Sequence, residues 1–244
     1  LAFPDASTFV AAVTEGQPDA PAYFSYDAAR NRQNRDLLEE AERAAPLTIT
    51  RVVELQGKGA FVLDTRDAME FAAGHLRGSV NVGLGGRYAE FAGSVIPHGV
   101  PIVVVAAPGL GLEAKVRLAR IGFDQVIGEL EDPPVAFVAN PELVERSSRL
   151  TASQLNSHRS DMVDLVLVDV RNPGEVALGS IPGAVHIPVS AIPSRIAELD
   201  NAAPTVIYCA GGYRSSMAAS LLRANGFADV SDLLGGFAAW QAQS

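Results

Sequence analysis

The chain has 244 residues, 48% of them hydrophobic and 19% charged, with a formal net charge of −9 and a single cysteine. That length suits two domains of about 100 residues each. The acidic balance, without a Lys/Arg cluster, argues against nucleic acid and membrane surfaces as partners.

No apolar run approaches the roughly 20 residues of a bilayer span. One cysteine cannot form an intrachain disulfide, and no signal-peptide pattern is visible, so a cytoplasmic protein is expected. Residues 1–45 match nothing else in the chain and are too short for a domain. Within them 36–45 reads as a helix rich in Glu and Arg, and the region of Pro18 and Pro21 as an extended link.

From there the elements come in two similar series. Residues 61–64 form a short apolar run ending in Asp64, as a buried parallel strand does. Residues 102–106 form a second such run, and 113–120 carry a helical stripe of Leu, Val and Ala. A linker is expected over 133–148, where Pro133, Pro134 and Pro141 precede a polar run. Strands at 165–169 and 205–208 and a helix at 215–224 follow.

The series are copies of one unit. FVLDTRDAMEFAAGHLRGSVNV answers VLVDVRNPGEVALGSIPGAVHI at an offset of 105 positions, pairing Asp64 with Asp169, Arg66 with Arg171, Glu70 with Glu175, Gly74 with Gly179 and Gly78 with Gly183. After a short slip PIVVVAAPG answers PTVIYCAGG, and IGFDQVIGEL answers NGFADVSDLL. The expected fold is α/β: two tandem domains, 46–132 and 149–244, each a small parallel sheet flanked by helices on both faces.

A lone cysteine is often an inert buried residue; the surroundings of Cys209 argue otherwise. An apolar strand runs into Cys209, a glycine-containing turn follows, and a helix begins. Ligands of open parallel sheets bind at such strand ends. Gly211 and Gly212 permit a nest of inward N–H groups, the helix start adds the positive end of its dipole, and Arg214 adds a charge. Together these favour the nucleophilic thiolate. Ser215 or Ser216 is a candidate helix cap.

The segment Cys209-Ala210-Gly211-Gly212-Tyr213-Arg214-Ser215 resembles the Cys-x-x-Gly-x-Arg-Ser loop of rhodaneses. Asp169-Val170-Arg171 and Gly179-Ser180-Ile181-Pro182-Gly183-Ala184 look like that family's Asp-x-Arg and Gly-His-Ile-Pro-Gly-Ala signatures. Gly235, Gly236 and Trp240 look like its Gly-Gly-x-x-x-Trp ending. Ser180 departs from the usual His; the other copy carries His75 there, which points to a structural role.

The resemblance implies sulfane-sulfur transfer with Cys209 as the nucleophile that carries a persulfide. It implies a small donor such as thiosulfate or a persulfide, a thiol acceptor such as glutathione, and neither cofactor nor metal. Ala210, Gly211, Gly212, Tyr213, Arg214, Ser215 and Arg171 are the expected substrate-binding residues, with Asp169 as structural support. Arg214 either steadies the anionic donor or pairs with a nearby carboxylate. In the first copy Ala106 stands where Cys209 stands, in a shorter loop without the Arg, so 46–132 is expected to be catalytically silent.

Two other readings stand beside this one. Cysteine phosphatases also place Cys and Arg around a nest, but with five intervening residues rather than the four found here. A non-enzymatic sulfur carrier or docking module also suits a duplicated chain with one silent copy. Residues Phe9 to Val13, Pro18 to Phe24 and Asn31-Arg32 look like the tail of metallo-β-lactamase-fold proteins that carry rhodanese domains. The chain is accordingly expected to be the C-terminal part of a fusion to a persulfide dioxygenase or thiol hydrolase. The four scattered histidines form no ligand cluster, so no metal is expected in this chain.

Overall fold

A computed structural model describes residues 5–14, 32, 42–162 and 164–243. Most of the segment read as a fusion tail, the extended link and the greater part of the 36–45 helix lie outside these residues. Residues 42–45, at the end of that expected helix, have no helical structure.

The first copy builds a five-stranded parallel sheet from β1 (Pro46–Leu47), β2 (Phe61–Asp64), β4 (Val80–Asn81), β5 (Ile102–Val105) and β6 (Val126–Leu130). Its order is β1-β6-β5-β2-β4. The second copy repeats it with β8 (Ser148–Leu150), β9 (Val166–Asp169), β10 (Val185–His186), β11 (Thr205–Tyr208) and β12 (Val230–Leu233), in the order β10-β9-β11-β12-β8. A separate antiparallel pair, β3 (His75–Leu76) with β7 (Val144–Glu145), ties the segment between the copies to the first copy. Both expected domains are therefore present, with helices on both faces of each sheet.

The central strands explain this arrangement. Every residue of β5 and of β11 is buried, and all but Thr205 are aliphatic or aromatic, so each strand requires cover on both faces. Alternate strand residues face different layers. Val62, Val103 and Val105 pack with Val52 of the helix Ile49–Gly57 and with Phe137. Leu167, Val206 and Tyr208 pack with Leu155 and Phe237 in the same way. The inner faces, with Leu63, Val104, Val168 and Ile207, belong to one apolar cluster that runs through both copies.

The helix Tyr213–Ala224 lies at the centre of that cluster. Residues 215 to 222 are all buried, so it has no solvent face over two turns. Its counterpart in the first copy, Gly111–Ala119, buries only the stripe of Gly111, Ala114 and Leu118. Ser216 and Ser220, one turn apart, reach the edge of the first sheet: the Ser216 hydroxyl donates to Asn81 Oδ1 at 2.9 Å, and the Asn81 backbone N–H donates to Ser220 Oγ at 2.9 Å. The helix thus covers an edge strand and satisfies its polar groups.

The structure revises the linker. Residues 133–139 form a helix, Pro133–Ala139, that opens with proline and buries Phe137 in the core of the first copy. The passage between the copies is consequently shorter than the expected 133–148. No helix among the described residues is long and apolar enough to cross a membrane.

Candidate active site

β11 pairs with β9 so that Tyr208 lies beside Asp169, and β5 pairs with β2 so that Val105 lies beside Asp64. The next residues, Cys209 and Ala106, therefore occupy equivalent places. Both are 1% exposed.

The Cys209 sulfur is held from the loop that follows it. The Gly212 amide donates to Sγ at 3.0 Å, and Sγ lies 3.6 Å from Ser215 Oγ. Gly212 reaches this position with a φ of 109°, in the left-handed region that glycine alone adopts freely, and it begins the helix Tyr213–Ala224. The expected nest is narrower than anticipated. Gly211 has no positive φ, and the Gly212 amide is the backbone donor on the sulfur among the described residues.

The rest of the loop is braced from below. The Phe237 amide donates to the Cys209 carbonyl at 2.7 Å and the Ala238 amide to the Ala210 carbonyl at 3.3 Å. This close approach accounts for the Gly-Gly ending. Gly236 has a φ of 58°, and a Cβ there would collide with the Cys209 carbonyl oxygen.

Several expected substrate contacts prove to be internal. Arg171 is 3% exposed; its guanidinium donates to Asp169 at 2.6 Å and to the Gly179 carbonyl at 2.7 Å, and lies 4.0 Å from the Phe237 ring centre. These partners all lie within the second copy, so Arg171 and Asp169 form an internal network. The first copy repeats the device: Arg66 binds Asp64, the Gly74 carbonyl and the Phe137 ring. Ser215 is fully buried, and its hydroxyl donates to the Gly212 carbonyl at 3.2 Å, so it supports the turn rather than touching a ligand. Neither Ser215 nor Ser216 caps the helix, whose N-cap is Gly212. His75 is buried, stacked on Phe71 and 3.3 Å from Glu145, which fits the expected structural role.

The carboxylate pairing expected for Arg214 is present, and the guanidinium also interacts with Cys209. Glu175 binds it through two contacts of 2.6 and 2.8 Å. The Arg214 hydrogen bonds hold the Glu175 carboxyl below its ordinary range, and the same bonds raise the Arg214 guanidinium above its own. Glu175 was legible as a repeated position but not as a partner of the loop. Its equivalent, Glu70, faces a loop that has no arginine.

Above the loop lies a cleft of about 940 Å³ between the copies. Gly211, Gly212, Tyr213 and Arg214 form one side, and Arg66 to Glu70, Gly83 to Arg87, Ala107 and Leu110 form the other. Ala210 is exposed but does not line it. Tyr213 bridges the two sides: its hydroxyl donates to the Gly83 carbonyl at 2.5 Å, and its ring lies 5.5 Å from that of Phe91. Burial pushes the Tyr213 phenol up to about 12, so it remains a donor at physiological pH. Arg149, not singled out by the sequence, packs near Gly212 and is held by Asp232 at 2.9 Å.

Known proteins resemble this chain in the same terms. The family described as Rhodanese-like domain matches residues 48–132 and again 151–243. A protein of Allochromatium vinosum named Sulfurtransferase is 38% identical over 93 residues, covering 38% of this chain and 87% of that protein. Thiosulfate sulfurtransferase GlpE of Ectopseudomonas mendocina is 36% identical over 94 residues, covering 38% of this chain and 84% of that protein. A crystal structure of a rhodanese-like domain protein from Staphylococcus aureus is 34% identical, covers 38% of this chain and 90% of that one, and superposes with a TM-score of 0.37. With both copies matched and a cysteine retained at the strand end of the second alone, the chain belongs to the rhodanese-like domain family.

Proposed function

We propose that the second copy is a sulfurtransferase in which Cys209 carries sulfur as a persulfide. The observation that carries this reading is the Gly212 amide, 3.0 Å from Sγ at the start of a twelve-residue helix beneath a cleft. An amide and a helix start both stabilise negative sulfur. The Cys209 thiolate attacks the outer sulfur of a donor such as thiosulfate. An Sγ–S bond forms, the donor S–S bond breaks, and sulfite leaves with the electron pair. The persulfide then passes its outer sulfur to a thiol such as glutathione, in two-step covalent catalysis. Ala106 has no sulfur to offer, so the first copy takes no part in the bond changes.

Intact-mass analysis after thiosulfate treatment tests this. The protein is expected to gain one sulfur atom and to lose it to added thiol, while Cys209→Ala gains none. Sulfur uptake that no thiol can discharge would favour a carrier module instead. Turnover of an aryl phosphate without sulfur uptake would favour a phosphatase.

A further inference from the structure

The cleft beside Cys209 is larger, and less cationic, than an inorganic donor requires. A volume of about 940 Å³ falls in the range of sites that enclose whole organic ligands, roughly 300–1,000 Å³. Thiosulfate is a small dianion and would occupy only a corner of it. Four arginines line the cleft, and each is held by a carboxylate: Arg66 by Asp64, Arg87 by Glu90, Arg149 by Asp232 and Arg214 by Glu175. A guanidinium already paired leaves little field for a second anion. The formal net charge of −9 adds no attraction.

The side facing the Cys209 loop belongs to the first copy and mixes charged residues with an apolar set. Met69 is 70% exposed and Leu110 41% exposed, and Leu84 and Phe91 also line the cleft. Large apolar side chains held open at a cleft mouth mark a surface that a ligand covers. The wall is also fixed relative to the sulfur. Tyr213, next to the amide that holds Sγ, is hydrogen-bonded to Gly83 and packed on Phe91. Arg117 donates to the Leu84 and Gly86 carbonyls and braces the same strap.

We propose that the silent copy is the specificity wall of the active one, and that it selects organic persulfides, R–S–SH with an apolar R group, over thiosulfate. This rests on the persulfide reading of Cys209. In loading, the Cys209 thiolate attacks the terminal sulfur of R–S–SH. The Sγ–S bond forms as the R–S–S bond breaks, R–S⁻ leaves with the electron pair, and the proton stays on the transferred sulfur. No external oxidant or reductant enters. The R group lies against Met69 and Leu110 throughout.

The test measures single-turnover loading of Cys209 by intact mass in the whole chain, with benzyl persulfide and with thiosulfate. Met69→Gln, Leu110→Gln and the double variant are compared with the wild type. These changes are neutral, so they leave the field on thiosulfate unaltered. The ratio of the benzyl persulfide rate constant to the thiosulfate rate constant is expected to fall about tenfold in the double variant. Both donors are measured on the same protein, so the ratio is independent of any loss of folded material. An unchanged ratio in all three variants overturns the wall. Failure of the wild type to take sulfur from either donor sinks the persulfide reading itself, a different result.

Discussion

Cys209 is recognisable in the sequence because its neighbours are specific residue types at specific spacings, and the structure puts Gly212 and Ser215 on its sulfur. The partner of Arg214 was not recognisable, because Glu175 lies 39 positions away on a different connection. This pair sets the charge beside the sulfur. Glu175 is held below its ordinary range, so the pair is intact above that range and is lost as pH falls through the lowered value. At neutral pH, Glu175→Gln leaves Arg214 with its charge uncompensated. The KM for thiosulfate is expected to fall about threefold, a modest change because solvent still screens this half-buried pair. An unchanged or raised KM in steady-state assays would show that the carboxylate does not restrain the arginine. Arg171 teaches the complementary lesson. Its type and position suggested a substrate contact, yet the silent copy keeps the same network around Arg66, where no reaction occurs in the proposed mechanism.

The strands β2, β5, β9 and β11 and the helices after β5 and β11 were legible as types, since these strands are short and almost wholly apolar; β6, β12 and the remaining helices were not. The short strands β1, β4, β8 and β10 were not, because two or three residues show no period. Pro133 and Pro134 pointed to a linker, whereas proline in the first turn of a helix is harmless and Phe137 anchors that helix. The most consequential element is the helix Tyr213–Ala224. Ser216 was read with Ser215 as a candidate helix cap, but Ser216 and Ser220 are buried against Asn81. Asn81→Ala removes the side-chain acceptor of Ser216 and the donors to the Asp64 and Arg66 carbonyls. A loss of about 2 kcal/mol is expected, given about 1–3 kcal/mol for each buried group left unsatisfied. Urea denaturation monitored by circular dichroism measures it; a change under about 0.5 kcal/mol, the level of an ordinary surface substitution, would contradict the burial of this contact.

The two copies share one apolar cluster that contains Leu63 and Val104 from the first and Ile207 and Met217 from the second. Separating them would expose the helix Tyr213–Ala224 on the side that covers β4. The chain is therefore expected to unfold in a single calorimetric transition, with matching van't Hoff and calorimetric enthalpies. Two resolved transitions would mean that the shared core contributes little. The same packing puts the silent loop, through Ala107 and Leu110, and the active loop, through Gly211 and Gly212, on one cleft.

By itself the amino-acid sequence determined the duplication, the α/β class and the family resemblance, and it singled out Cys209. Those follow from local patterns: apolar runs, glycines at a turn and a cysteine at a strand end. Only the tertiary structure decided which charges are already neutralised, that the helix Tyr213–Ala224 is buried over two turns, and that the first copy forms one side of the cleft above the Cys209 loop. These depend on which surfaces of distant segments meet, and no local pattern carries that information.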